Sequence, residues 1–463
     1  MNLYPLRLII VIVLLMVRSA SQASTVIDAA SAGLDGVEKE CIVEPVFDGS
    51  ACIYQANVDA EKTIVLVHGL NGRALGDWKN QIPLLAKKYH VLAFDLPGFG
   101  DSGKDVAYYS PTEYTRFIRY VTERYAHGNI TLVGHSMGGA IALRYVATYP
   151  QTVEKLVLVD VAGVLHRMAY ARQLANGWVK SNATNDSRVL SFADKIANKL
   201  LSKMEPIAGP ITEMMAQQLL KRELLNVDSS VISSMTLANE DLSDALLKME
   251  LPALVVWGED DLVAPIRTAK VLLEYIPEAR FEVIAGAAHV PMVEQPEKFN
   301  RVLLDYINGV KGSVDVVPVD DGVDSAPRTE VCRKESGKLY QGHYDSLTLI
   351  SCSRVVIKNA TINELIIRSS RASIENSEIV SDKIALSITG SDVLITATRL
   401  SGDIAIDTSR SRLDLAAVKL IGKSNSVRGA KSSSLVFSVS EISSPLATRS
   451  VHEFLKVDRR HPL

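Results

Sequence analysis

The chain has 463 residues, 47% of them hydrophobic and 22% charged, with a formal net charge of −3. These are the values of a globular protein; they exclude global disorder and give no sign of a nucleic-acid-binding surface. At this length two or three domains with sizeable cores are expected, and composition alone names no activity.

Residues 1–23 read as a secretory signal. A short basic "MNLYPLR" precedes ten apolar residues, Leu8–Val17, and Ser21 and Ala23 suit the −3 and −1 positions of a cleavage that leaves Ser24 first. Ten apolar residues cover only about half a bilayer as a helix, so a membrane anchor is the weaker reading. The expected location is secreted or periplasmic, with no transmembrane segment after cleavage. Four cysteines fit an oxidising compartment. Cys41 and Cys52 form one local pair and Cys332 and Cys352 another, although spacing leaves the other two pairings open. No histidine stands near either pair at zinc-ligand spacing.

From Cys41 to Asp160 short β-branched runs alternate with helical patterns. "TIVLVH" (63–68), "HVLAFD" (90–95), "NITLVG" (129–134) and "KLVLVD" (155–160) are apolar on both faces, as strands of a covered parallel sheet are. Between them "SPTEYTRFIRYVTERY" offers Ser110 as N-cap, Pro111 at the first helical position and Glu113 to close a capping box. Tyr114, Phe117, Ile118 and Val121 supply its apolar stripe. Alternation of this kind predicts an α/β sheet. From about 164 to 250 the strand signal gives way to four helical runs, and this stretch holds six of the ten methionines, which predicts a helical cap inserted into the sheet. The sheet resumes at "ALVVWG" (253–258) and "RFEVIAG" (280–286), and the helix "EKFNRVLLDYI" closes it.

Residues 312–330 are acidic and aperiodic and read as a linker. Beyond it, blocks beginning at Ser353, Ser370, Ser391, Ser411 and Ser433 are apolar at their third, fifth and tenth positions. A unit of about twenty residues cannot bury its own face, but stacked coils of a parallel β-helix can; a sandwich is the alternative. Residues 353–463 hold 16 Lys+Arg against 11 Asp+Glu. That excess would attract an anionic glycan or surface, the plainer reading being a solvated face.

The chemistry concentrates in "VGHSMGGA" (133–140), where a buried strand turns into a helix with a serine at the corner. Such a corner exposes Ser136 Oγ, needs Gly134 and Gly138 for close backbone approach, and aims the first amides of the helix at a reacting carbonyl. The Met137 N–H is therefore one expected oxyanion donor. A second belongs to "LVHGLNG", with Leu70 N–H the first choice and Asn71 the second. The acid expected at the end of a late strand falls in "VVWGEDDLVAP": Asp261, with Asp260 and Asp160 as the other candidates. A histidine is expected in the loop after the last strand, and "VIAGAAHVPMVEQPEKF" places His289 there. His68 and His135 read as structural neighbours of the site, Asp95 and Ser102 as shapers of a nearby turn, and Trp78 and Trp257 as core.

With "HGLNG", "DLPGFGDSG", "GHSMGG", "WGEDDLVAP" and "GAAHVPMVEQPE" in this order, residues from about 42 to 309 resemble the α/β-hydrolase superfamily, in particular its capped esterase and lipase-like members. The resemblance implies Ser136 as nucleophile, His289 as general base then acid, and Asp261 orienting the imidazole. Family members with dehalogenase or epoxide hydrolase chemistry have aspartate in place of Ser136. The domains expected are the signal (1–23), an α/β-hydrolase domain (24–311) with its cap (about 164–250), the linker (312–330) and an all-β, parallel β-helix-like domain (331–463) outside the family pattern. The expected activity is cleavage of a small-molecule or lipid carboxylic ester with no metal or organic cofactor. Two alternatives stand beside it: a non-catalytic binding or adhesion protein on a hydrolase scaffold, and a C–C bond hydrolase or perhydrolase using the same three residues.

Overall fold

A computed structural model of the chain describes residues 34–70, 72, 74–104, 109–170, 229–310, 327–445 and 447–463. The expected signal, most of the linker, Asn71 and the three helical runs expected within 171–228 lie outside the described residues. The chain divides into two compact units at Val314/Asp315.

The first unit is built on an eight-stranded sheet of order β1-β2-β4-β3-β5-β6-β7-β8. β1 (Val37–Glu44) and β2 (Gly49–Ala56) form an antiparallel hairpin that the sequence pattern did not reveal. Cys41 faces Cys52 across it, and the two are joined as a disulfide. β2 runs antiparallel to β4 (His90–Phe94). From β4 onward every pair is parallel: β3 (Thr63–Val67), β5 (Ile130–His135), β6 (Val153–Val159), β7 (Ala253–Gly258) and β8 (Arg280–Ile284). β3, β4, β5 and β7 are buried at every residue, which is why they read as unbroken apolar runs.

The helix Pro111–Tyr125 starts where the capping signal predicts, with Ser110 Oγ accepting the Glu113 N–H at 3.2 Å. The Glu113 carboxylate is held by Arg116 Nη1, a local ion pair in place of the expected reach back to Ser110. Tyr114, Phe117, Ile118 and Val121 are fully buried, as are Trp78 and Trp257. Of the cap, residues 164–170 and the helices Ser229–Ala238 and Ser243–Leu247 are described, with Met168, Met235 and Met249 buried.

The second unit is all β: β9 (Arg328–Arg333), β10 (Leu339–Ile350), β11 (Val355–Arg368), β12 (Arg371–Glu375), β13 (Glu378–Val380), β14 (Ile384–Thr389), β15 (Asp392–Ser409), β16 (Arg412–Lys431), β17 (Ser433–Ser438), β18 (Ser440–Ser443), β19 (Thr448–Val451) and β20 (Phe454–Val457). β11 pairs in parallel with β12, then β13, then β14, so each turn of chain lies along the next as a coil rather than a hairpin. The pairing stacks buried columns at the repeat positions: Val355, Ala372, Val393, Leu413 and Leu435, then Ile357, Ile374, Ile395, Leu415 and Phe437. Parallel register between successive coils rules out the sandwich; β20 and β19 add antiparallel strands only at the end.

At one corner the hydroxyls of Ser370, Ser391, Ser411 and Ser433 accept the N–H groups of Cys352, Ser370, Ser391 and Ser411 in turn. The ladder position in the first rung is Cys352, not the Ser353 at which the repeat was begun, and Arg354 takes up the extra residue at φ 51°. Cys352 is disulfide-bonded to Cys332.

His90, buried in β4, has Nδ1 toward Thr63 Oγ1 at 3.1 Å and Nε2 toward Gln55 Oε1 at 3.1 Å. Burial, and then the charge of His127, push its pKa down to about 4 from 6.5. The unfolded chain therefore binds this proton first, and stability falls as pH drops from about 6.5 towards 4. Replacing His90 by Gln is expected to flatten the dependence of the urea midpoint on pH in that window, and an unaltered slope would show that His90 is not its source.

Candidate active site

The parallel registers bring the carboxyl ends of the strands onto one line. Val67 pairs with Gly134, His135 with Val159, Val159 with Val256 and Gly258 with Ile284. The residues just beyond those ends are Leu70, Ser136, Asp160, Asp261 and His289, so five loops of distant sequence open on one edge.

Ser136 stands between β5 and the helix Met137–Thr148 with φ 52° and ψ −114°. A side chain held at such angles costs on the order of 1–3 kcal/mol and persists only where its surroundings enforce it. Here Ser136 N–H donates to Val159 O at 2.8 Å, and Ser136 O accepts the N–H groups of Gly139 and Ala162. A Cβ on Gly134 would lie 2.3 Å from Gly138 O, and one on Gly138 would lie 2.4 Å from Val67 O. Both glycines are there because backbone occupies the space of a side chain. Met137 opens the helix, so its amide is one of the four that a helix leaves without an internal acceptor. The loop carrying Leu70 runs alongside: a Cβ on Gly69 would meet Ser136 Cβ at 3.1 Å.

His289 Nε2 lies 3.0 Å from Ser136 Oγ and His289 Nδ1 lies 2.8 Å from Asp261 Oδ2. With Nδ1–H donating to the carboxylate, Nε2 is left to accept from the serine hydroxyl. Asp261 Oδ1 accepts the N–H groups of Val263 and Ala264 at 2.7 and 3.0 Å, which fixes the carboxylate. Of the three acids considered, Asp261 reaches the imidazole. Asp260 is exposed, and Asp160 is fully buried behind the pair.

The histidine loop is tied down on both sides. His135 Nε2 donates to the His289 carbonyl at 2.7 Å, while His135 Nδ1 faces Asp77 Oδ2 at 3.2 Å. Asp77 also accepts the Gly69 N–H at 3.1 Å. Burial raises the Asp77 carboxyl, but its hydrogen bond to His135, the charge of His135 and the Gly69 amide outweigh that and hold it below its ordinary range. Asp77, in "ALGDW", carries no motif, and sequence reasoning missed it. On the other side Gln81 Nε2 donates to Met292 O at 3.0 Å. A Cβ on Gly258 would lie 1.8 Å from Ala288 O, so the glycine after β7 lets the loop pass. His68 is structural: its Nδ1 donates to Gly69 O and its Nε2 accepts the Leu96 N–H. Asp95 accepts the Ala74 and Asp101 amides, and Ser102 Oγ donates to Asp95 O, closing the turn as expected.

Among the described residues, Asp160, Asp261 and His289 also form a group able to hold a metal ion, with ligand atoms within 4.8 Å of one another. Both nitrogens of that imidazole and both oxygens of Asp261 are already used in hydrogen bonds.

The family model for the alpha/beta hydrolase fold matches residues 62–296, and the chain belongs to that family. Among curated relatives, Lipase 1 of Psychrobacter immobilis is 29% identical over 250 residues, 53% of this chain and 77% of that protein. Lipase 3 of Moraxella sp. (strain TA144) is 28% identical over 253 residues, 53% of this chain and 78% of that protein. The 2-hydroxy-6-oxo-6-(2'-aminophenyl)hexa-2,4-dienoic acid hydrolase of Metapseudomonas resinovorans is 27% identical over 259 residues, 53% of this chain and 83% of its own. The protein is a hydrolase.

Gly138→Ala is expected to lower stability by at least about 1–3 kcal/mol, because its Cβ meets backbone that cannot rotate aside. A denaturation midpoint equal to that of the wild type would mean that the corner is not built this way.

Proposed function

We propose that the protein is an exported serine hydrolase that cleaves carboxylic esters through Ser136, His289 and Asp261 and a covalent acyl-enzyme. The observation that carries this reading is the continuous hydrogen-bonded series from Ser136 Oγ through His289 to Asp261 Oδ2, at 3.0 and 2.8 Å. Ser136 Oγ attacks the ester carbonyl as its proton passes to His289 Nε2, and the Met137 and Leu70 amides take the charge that develops on oxygen. Asp261 stabilises the imidazolium. His289 then protonates the leaving alcohol, and water attacks the acyl group by the same route, returning Ser136 to its hydroxyl form. No step in this sequence calls on a metal or cofactor.

Two lipases among the relatives support an ester or lipid substrate. The signal-like residues 1–23 and the two disulfides support export. Among the described residues no helix is long and apolar enough to cross a membrane. The relative acting on a hexadienoic acid favours a second reading, hydrolysis of a C–C bond by the same three residues.

A fluorophosphonate probe is expected to label the wild type and not Ser136→Ala, and turnover of an activated ester is expected to fall about 10⁴-fold or more in that variant. Folded wild-type protein that takes no label would instead support a binding role. Product analysis on an ester panel and a vinylogous diketone separates the two hydrolytic readings: acid and alcohol from the first, a cleaved C–C bond from the second.

A further inference from the structure

Asp160 follows the last residue of β6 and is fully buried, with φ 44°. Its N–H donates to Val256 O at 3.0 Å and its Oδ1 accepts the Gly258 N–H at 2.9 Å. Its Oδ2 finds no donor among the described residues. Among the described residues another acid, Asp261, stands beside this carboxyl, and the ligand atoms of both and of His289 all lie within 4.8 Å of one another. Two carboxylates so close and so buried cannot both stay ionised, and one of them takes a proton. The donors decide which. Asp261 receives two backbone N–H groups and the imidazole, all of which favour its charged form, whereas Asp160 receives a single backbone N–H.

We propose that Asp160 is a positioning residue, a neutral carboxylic acid whose Oδ2–H donates to Asp261 and holds that carboxylate in line with His289. This assignment rests on the Ser136–His289–Asp261 reading above. A proton on Oδ2 turns an atom without a partner into a donor, and it gives Asp261 a further hydrogen bond. The surroundings agree. Burial pushes the Asp160 carboxyl well up, the charge of Asp261 and its hydrogen bond push the same way, Glu294 adds to them, and only the Gly258 amide opposes. Among the described residues the other titratable groups that face the pair are His289 and Tyr170, whose phenol is pushed up by burial and then by Asp261 and so stays neutral.

Asparagine is the informative replacement, because its Oδ1 can accept from Gly258 and its Nδ2–H can donate to Asp261 without any charge. In the full-length protein at neutral pH, an infrared band of a protonated carboxyl, shifting in D₂O, is expected in the wild type and in Ser136→Ala, and is expected to vanish in Asp160→Asn. The acid limb of the pH dependence of kcat/KM is expected to stay within about 0.3 pH unit in Asp160→Asn, with kcat/KM down about 2- to 5-fold. Asp160→Ala, which has no donor, is expected to lose about 10- to 100-fold. A band that persists in Asp160→Asn, or none in the wild type, overturns the proposal. So does an acid limb moved down by about a unit in Asp160→Asn, since that would mean a negative charge had been removed beside the imidazole. Equal kcat/KM for the Asn and Ala variants overturns it too. Should Asp160→Ala fail to fold, the infrared band and the Asn profile decide. An active Ser136→Ala would sink the serine reading separately, because the infrared band needs no turnover.

Discussion

Everything chemical in the first unit depends on the register of its parallel strands. Residues separated by more than 150 positions, such as Ser136 and His289, reach hydrogen-bonding distance because the registers end β5, β6, β7 and β8 within two residues of one another. A two-residue slip of β7 against β6 would keep the same faces buried and the same core. It would also carry Asp261 about 7 Å along the strand axis, out of reach of the imidazole. What prevents it lies at the strand ends: Asp160 N–H on Val256 O and Gly258 N–H on Asp160 Oδ1 lock the two strands at the point where the site begins. Register and chemistry are thus held by overlapping groups.

The same economy governs the corner at Ser136. Its backbone strain is balanced by bonds to β6 and to the following helix, and the glycines on either side have no room for a side chain. Because that corner is rigid, the serine hydroxyl is spared any structural role and faces an imidazole instead. His289 comes from a loop, the less rigid kind of element. The loop is accordingly anchored through its own backbone, by His135 at the His289 carbonyl and by Gln81 at Met292. A loop residue can be placed to a few tenths of an ångström only if its main chain is pinned, and this one is pinned from a strand end and from the turn at Gln81.

How much of this could be read in advance follows from where the signals sit. The buried strands declared themselves because burial on both faces leaves only apolar residues, and the helix at Pro111 did so through its cap. The hairpin of β1 and β2 did not: "VEKECIVE" is exposed at most positions, and exposure leaves no pattern. Ser136, His289 and the Gly134 and Gly138 positions were legible because steric and chemical demands fall on the same few letters. Asp77 was not, since a carboxylate that braces a neighbouring histidine needs only to arrive in space. In the second unit the period located the coils, with Val355 and Ile357 in register with Ala372 and Ile374, whereas the hydroxyl ladder that starts at Cys352 leaves no mark in that period. A cysteine there gives up its N–H to the Ser370 hydroxyl while its sulfur is committed to Cys332, so it shares a place with the serines without sharing their letter.

Asp160, Asp260 and Asp261 are alike in sequence, because an acid near the end of a strand looks the same whatever it does. Counting donors separates them. A carboxylate that must remain charged in a buried site has to be supplied with N–H groups, and the turn after β7 supplies Asp261 from Val263 and Ala264 before His289 is considered. Asp160, with one backbone donor among the described residues and another acid as neighbour, sits where a second charge is costly, and a hydrogen on its remaining oxygen would serve Asp261. The serine ladder of the second unit obeys the same rule from the opposite side: each hydroxyl accepts one N–H and hands its proton to a carbonyl two residues back, so nothing is left over for chemistry. Among the described residues Asp160 is thus left short of donors by its backbone neighbourhood, as the ladder hydroxyls and Asp261 are not.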